Sequence, residues 1–208
     1  MDHQIGRILS ALVEQKLMDN TVILFVSDHG EMLGDHLMFQ KAKPYQGSVQ
    51  VPLFISGPER YVGKHRSVCH DLVELRDVMP TLLELAGAEI PDTVDGVSML
   101  HGVEREYIHG EHSLGGDSMH FVVTKSDKYV WYSQTGRELY FDLEKDPHES
   151  HNAIADGRYR ARVDYLRDCL IRELHGREEG YSDGTQLVVG RPPQTVLKHT
   201  PYSCDHKS

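Results

Sequence analysis

The chain has 208 residues, 39% of them hydrophobic and 26% charged, which is ordinary for a soluble globular protein and long enough for one full domain or a domain and a half. Its formal net charge of −10 argues against a nucleic-acid-binding surface and against strong attraction to anionic membranes, since both need a basic face. Cys69, Cys169 and Cys204 form neither a disulfide framework nor a zinc motif, no run approaches the ~20 apolar residues of a membrane span, and the opening M-D-H-Q-I-G-R-I-L lacks a signal-peptide pattern, so the chain as it stands reads as cytoplasmic.

In chain order, the first predicted element is a helix over residues 2–17. Ile5, Ile8, Leu9, Leu12 and Val13 form one apolar stripe, while Arg7, Glu14 and Lys16 face water. Asp19-Asn20 turns the chain into residues 21–26, an apolar, β-branched-rich run that reads as a strand covered on both faces, the kind found in parallel sheets flanked by helices. Helix into strand at this spacing reads as the second half of a βαβ unit whose first strand lies outside the sequence.

That strand stops at Ser27-Asp28-His29-Gly30. Ligand sites of open α/β sheets lie beyond the carboxyl ends of the strands, and Gly30 and Gly34 let the backbone turn sharply there. Asp28 and His29 are therefore candidate metal ligands or an acid/base pair. Read alone, D-H-G is more often a plain turn in which Asp28 bonds its own backbone.

Residues 51–56 form a second apolar strand closed by Gly57-Pro58, and residues 59–67 read as a surface loop. Asp77 is expected to cap a helix that accommodates Pro80 in its first turn, carries Leu82, Leu83 and Leu85 as core, and stops at Gly87. After a linker over 91–102, segments 107–111, 119–124, 129–133 and 138–142 alternate like an antiparallel meander. An amphipathic helix over 151–174, with Tyr159, Val163, Leu166, Leu170 and Leu174 inward, would cover one face of that sheet. Residues 176–208 read as an extended tail without a core of its own. The expected fold class is α/β: part of a large mixed or parallel sheet flanked by helices over 1–97, a smaller α+β subdomain over 98–175, and the tail over 176–208.

Four blocks, S-D-H-G-E-M-L-G-D-H with Lys41, V-P-L-F-I-S-G-P, D-V-M-P-T-L-L-E-L-A-G and L-Y-F-D-L-E-K-D-P-H-E, together resemble the sulfatase (arylsulfatase) family of the alkaline phosphatase superfamily, in order and spacing, over most of residues 2–175. The resemblance implies a sulfuric ester hydrolase, of which this chain looks like the carboxyl-terminal portion. Such enzymes use a formylglycine nucleophile made within a C/S-x-P-x-R motif, and a divalent cation, usually Ca²⁺, held by two early aspartates and a later Asp followed by Asn or His. That later pair matches Asp28 and His29; because Ca²⁺ prefers oxygen, Asp28 is the surer ligand. Lys41, thirteen positions after Asp28, matches the family's active-site lysine, an ammonium that binds sulfate oxygens or steadies charge on the leaving oxygen. Lys43 has a weaker claim. His36, from the same loop, and His112, in the group I-H-G-E-H-S with His109 and Glu111, are lesser candidates for substrate contact. Asp28, His29 and Lys41 are expected to converge on one pocket.

The nucleophile motif is expected outside these residues, since Cys69 sits in S-V-C-H-D-L, which departs from it, and the early paired aspartates have no counterpart. The isolated chain is thus expected to be inactive and to bind Ca²⁺ weakly, with formylglycine confined to a missing amino-terminal part. A sulfated small molecule or sulfated glycan is the implied substrate. Association with that missing half, or self-association, is expected where strands are lacking. Two other readings stand beside this one: a phosphonate or phosphate ester hydrolase of the same superfamily, and a non-catalytic glycan-binding remnant.

Overall fold

A computed structural model describes residues 1–64, 68–114 and 116–193 of the chain. Its contacts divide into two units, residues 1–29 with 51–104, and residues 30–50 with 105 onward.

In the first unit, α1 spans Asp2–Glu14 and ends three residues sooner than the stripe predicted. Strands β1, Ile23–Val26, and, after the one-turn helix α2 of the other unit (Gln46–Val49), β2, Leu53–Ser56, form a two-stranded ladder. They run antiparallel, with Ile23 opposite Ser56 and Val26 opposite Leu53, and Phe25 stacks on Phe54 at 5.0 Å. Every residue of β1 is only partly buried. An apolar run specifies a strand, but the direction of its partner is set by where the next strand returns, which composition does not record. Residues 59–62, expected as loop, form the helical turn α3, Glu59–Val62, and residues 65–67 of that stretch lie outside the described residues.

Helix α4, Val78–Leu85, carries Pro80 in its first turn and stops at Gly87, whose φ of +69° suits a residue without Cβ. Asp77 does not cap it with its side chain. That carboxylate is fully buried and accepts instead from Glu74 N (2.9 Å) and Val97 N (3.0 Å), fastening the preceding 3₁₀ turn and residue 97. The leucine face is less enclosed than expected: Pro80 and Thr81 are buried, whereas Met79 and Leu82 stand about half exposed.

The second unit is built on the predicted meander. Strands β3 (Ile108–Leu114), β4 (Asp117–Val123), β5 (Asp127–Tyr132) and β6 (Glu138–Asp142) pair antiparallel in sequence order. Consecutive side chains point to opposite faces, so the alternation builds two cores. Val122, Tyr129, Trp131 and Tyr140 meet Val163, Leu166, Leu170 and Leu174 of α5, Arg160–Leu174. Phe121, Val130, Leu139 and Phe141 form the other face, packed by Tyr45 and Val49. Each such large side chain removed from water contributes roughly 1.5–3 kcal/mol. The carboxyl-terminal stretch is not coreless: Tyr181 is 2% exposed and belongs to the α5 core. A lone aromatic in a Gly-rich run gives no periodicity from which its docking is legible. Residues 194–208 lie outside the described residues.

Candidate active site

Strand β1 ends at Val26 and hands the chain to a tight turn. Ser27 Oγ donates to His29 O at 2.7 Å, and His29 N donates to Asp28 Oδ1 at 3.1 Å. The turn therefore forms as the plain reading requires, yet it does not enclose the carboxylate, whose side chain is 86% exposed. His29 is more sheltered, with Nε2 3.7 Å from Asp28 Oδ2. A hard carboxylate oxygen and an imidazole nitrogen are offered side by side.

Gly30 follows, and its N donates to Ser48 O at 2.8 Å. A Cβ at Gly30 would stand 2.1 Å from Gly47 O, so only glycine permits this approach. Beyond it, residues 31–42 fold into a compact loop: Met32, 1% exposed, bonds through its N to Gln40 O at 2.9 Å, and Gly34 N to Met38 O at 2.8 Å. Leu33, His36, Leu37, Gln40 and Ala42 all take positive φ without being glycine. Each such residue costs on the order of 1 kcal/mol, and such strain concentrates at functional loops. Lys41, exposed, sits between the last two of them.

The strain is held by the second unit's sheet. Lys128 Nζ, on β5, donates to Pro44 O (2.7 Å), Gln46 Oε1 (3.1 Å) and the buried Glu149 Oε1 (2.5 Å), and Gln46 N donates to Glu149 Oε2 (2.6 Å). Burial drives the Lys128 pKa down from its usual range, opposed by the Glu149 carboxylate. Tyr45 packs edge-on against Phe141 at 6.0 Å, and burial pushes its phenol up.

Asp28 and His29 belong to the first unit, and Lys41, His36 and His112 to the second. His36 stacks on Tyr45 at 3.9 Å with Nε2 3.1 Å from His148 O. His112 is exposed on β3 and lines a cavity of about 250 Å³ with Glu111, Ser118, His120, Glu179 and Tyr181.

The nucleophile pattern requires a correction. By residue type S-x-P-x-R does occur, as Ser56-Gly57-Pro58-Glu59-Arg60, contrary to the expectation that the chain lacks it. Its position is wrong for the role. Ser56 pairs with Ile23 at the beginning of β1, so it lies at the opposite end of the two-stranded ladder from Asp28. Arg60 is engaged there too, donating to Asp19 O and to Asn20 Oδ1 (3.2 Å) and lying over the Tyr61 ring.

Sequence reasoning noticed His109 and Glu111 but missed their partner. His120, opposite Glu111 across the β3–β4 register, puts Nδ1 3.3 Å from Glu111 Oε2 and 3.4 Å from His109 Nε2. The polar residues Ser118 and His120 alternating with apolar Met119 and Phe121 are the signal that would have found it. The His120 contact, with Arg177 beside it, holds the Glu111 carboxyl far below its usual range.

The sulfatase family model matches residues 1–88. The chain is 54% identical over 206 residues to an arylsulfatase of Clostridium perfringens, an alignment spanning 96% of this chain and 43% of that relative, so it covers less than half of that relative's length. Among solved structures, a candidate sulfatase of Bacteroides thetaiotaomicron superposes with a TM-score of 0.76 at 26% identity, covering 83% of this chain and 40% of that one. A phosphonate monoester hydrolase of Agrobacterium radiobacter gives 0.71 at 31%, covering 82% and 38%.

Proposed function

This chain belongs to the sulfatase family of the alkaline phosphatase superfamily, and we propose that it supplies one carboxylate of a divalent-cation site and the active-site lysine of a sulfuric ester hydrolase. The observation that carries the reading is Asp28: a carboxylate 86% exposed at the exit of a strand, with His29 beside it, instead of one sealed in its own turn. The donor set suits a hard cation through Asp28. Ca²⁺ takes six to eight oxygens, so Asp28 and His29 would hold it only as part of a larger set. When bound, the cation neutralises non-bridging oxygens of the ester as charge builds there.

Lys41 is the second cationic element. Its ammonium is a compact point charge suited to a sulfate oxygen or to the departing alkoxide, where stabilisation of developing charge lowers the barrier. The strained backbone on either side is consistent with a side chain held for a task. Ser56, which fits the nucleophile pattern by residue type, stands at the far end of the ladder from Asp28 and is not assigned that role. The chain by itself is therefore expected to leave p-nitrophenyl sulfate unhydrolysed and to bind Ca²⁺ weakly; turnover abolished by Lys41→Ala would overturn this. The substrate class follows as a sulfated small molecule or sulfated glycan.

A second reading, hydrolysis of a phosphonate or phosphate monoester, is favoured by the likeness to the phosphonate monoester hydrolase at 31% identity. An anionic tetrahedral ester suits the same carboxylate, cation and ammonium.

A further inference from the structure

One face of the β3–β4 ladder carries polar side chains where a core-facing sheet would normally carry apolar ones. His109 and Glu111, two apart on β3, share a face by the strand period, and the register sets His120 opposite Glu111. The three nearest donor atoms are His109 Nε2, His120 Nδ1 and Glu111 Oε2, separated pairwise by 3.4, 3.3 and 3.8 Å. A tetrahedral ion with bonds near 2.0–2.1 Å needs ligand atoms roughly 3.3–3.4 Å apart. Two of the three edges already have that length.

Of the remaining ring nitrogens, His120 Nε2 lies within hydrogen-bond distance of Ser118 Oγ, at 3.1 Å, while His109 Nδ1 faces Glu173 Oε1 at 3.7 Å, close enough for charge attraction but too long for a hydrogen bond. Metal-binding histidines are fixed in this way, with the non-ligating nitrogen held by a carboxylate or hydroxyl that sets the tautomer. Both rings are sheltered, with side chains 8% and 2% exposed, and stack parallel at 5.6 Å. Tyr181 lies edge-on to His120 at 5.1 Å, and its enclosed hydroxyl has no hydrogen-bond partner among the described residues. It lines the cavity of about 250 Å³ that borders Glu111 and His120, which leaves room for a fourth ligand.

We propose that His109, Glu111 and His120 form a site for a first-row transition-metal ion of the zinc class, chemically distinct from the oxygen-type site at Asp28. Two imidazoles and one carboxylate select such an ion over Ca²⁺ or Mg²⁺. Arg177, with Nη1 2.8 Å from Glu111 Oε2, uses one lone pair of that oxygen and leaves another for the metal. Its charge is shared with Glu179 at 2.8 Å, and Glu173 adds a further carboxylate beside His109, so the surroundings remain net acidic. The ion would tie β3 to β4 and expose one coordination position to the cavity.

The test is titration of the chelator-treated 208-residue chain with Zn²⁺ and with Co²⁺, read by calorimetry and by the visible absorption of tetrahedral cobalt. One equivalent is expected, undisturbed by excess Ca²⁺. Glu111→Gln and His109→Gln should each weaken Zn²⁺ about 100-fold or more, and Glu173→Gln about 10-fold, with the fold checked by circular dichroism. Glu111 is 43% exposed, so its variant stays informative if the more buried His109→Gln fails to fold. Asp28→Ala should leave Zn²⁺ binding intact, which separates this site from the proposed hydrolase cation. Failure to retain metal, an affinity unchanged by Glu111→Gln, or equal loss in Asp28→Ala would each overturn the proposal.

Discussion

Lys128 Nζ and Glu149 Oε1 lie 2.5 Å apart with both side chains essentially removed from solvent. Glu149 itself takes a φ of +55°, and the pair also fastens Pro44 and Gln46. A buried ion pair is weak evidence of net stability, but removing one partner strands the other charge. Glu149→Ala should therefore lose about 3–5 kcal/mol in urea unfolding, while Lys128→Met with Glu149→Leu should recover much of that loss. A single variant as stable as the parent would show that the pair does not hold the loop.

Gly30→Ala introduces a methyl 2.1 Å from the carbonyl oxygen of Gly47, which is backbone and cannot swing aside. A destabilisation of about 1–3 kcal/mol is expected from chemical denaturation. Gly34→Ala meets no such atom, but its φ of +106° makes it strained for another reason, so Gly6→Ala, with nothing within 4 Å, is the better control.

Acid should weaken the second unit through Glu138. Burial alone would raise its pKa, but Arg167 (Nε to Oε1 2.7 Å, Nη2 to Oε2 3.0 Å) and the Tyr129 hydroxyl outweigh burial and hold it below its ordinary 4.5. The unfolded chain then binds more protons at Glu138 than the folded one, so stability rises with pH through this window. The contribution is present above 4.5 and is lost as pH falls through the lower folded value. Glu138→Gln should flatten that part of a stability-versus-pH curve; an unchanged slope would mean the carboxylate is not so held.

Ile8, Val13, Phe54, Met79 and Leu82 are between 47% and 63% exposed in the first unit. Apolar surface of this kind favours association. We expect concentration-dependent self-association in sedimentation velocity, reduced by Ile8→Gln with Val13→Gln; a monodisperse monomer at all concentrations would count against it.

Much of the fold is legible because local rules and tertiary context agree. The alternation in residues 107–142 gives the meander, and Val163, Leu166, Leu170 and Leu174 give the covering face of α5. What fails to show is whatever depends on distant partners. The antiparallel return of β2 onto β1, the burial of Asp77 away from the α4 cap, and the docking of Tyr181 are tertiary choices with no local signature. The same holds for chemistry. Asp28 and His29 announce themselves by adjacency, whereas His120 joins His109 and Glu111 only through strand register, and Ser56-Gly57-Pro58-Glu59-Arg60 satisfies a short pattern while standing at the wrong end of its ladder.

The most direct measurement grafts these 208 residues in place of the matching segment of the 54%-identical Clostridium perfringens arylsulfatase and follows hydrolysis of p-nitrophenyl sulfate. The chimera should turn over, Lys41→Ala and Asp28→Asn should each lower kcat/KM about a hundredfold or more, and Ser56→Ala should leave it unchanged. An active chimera indifferent to Lys41→Ala and Asp28→Asn would contradict the roles assigned to those two residues.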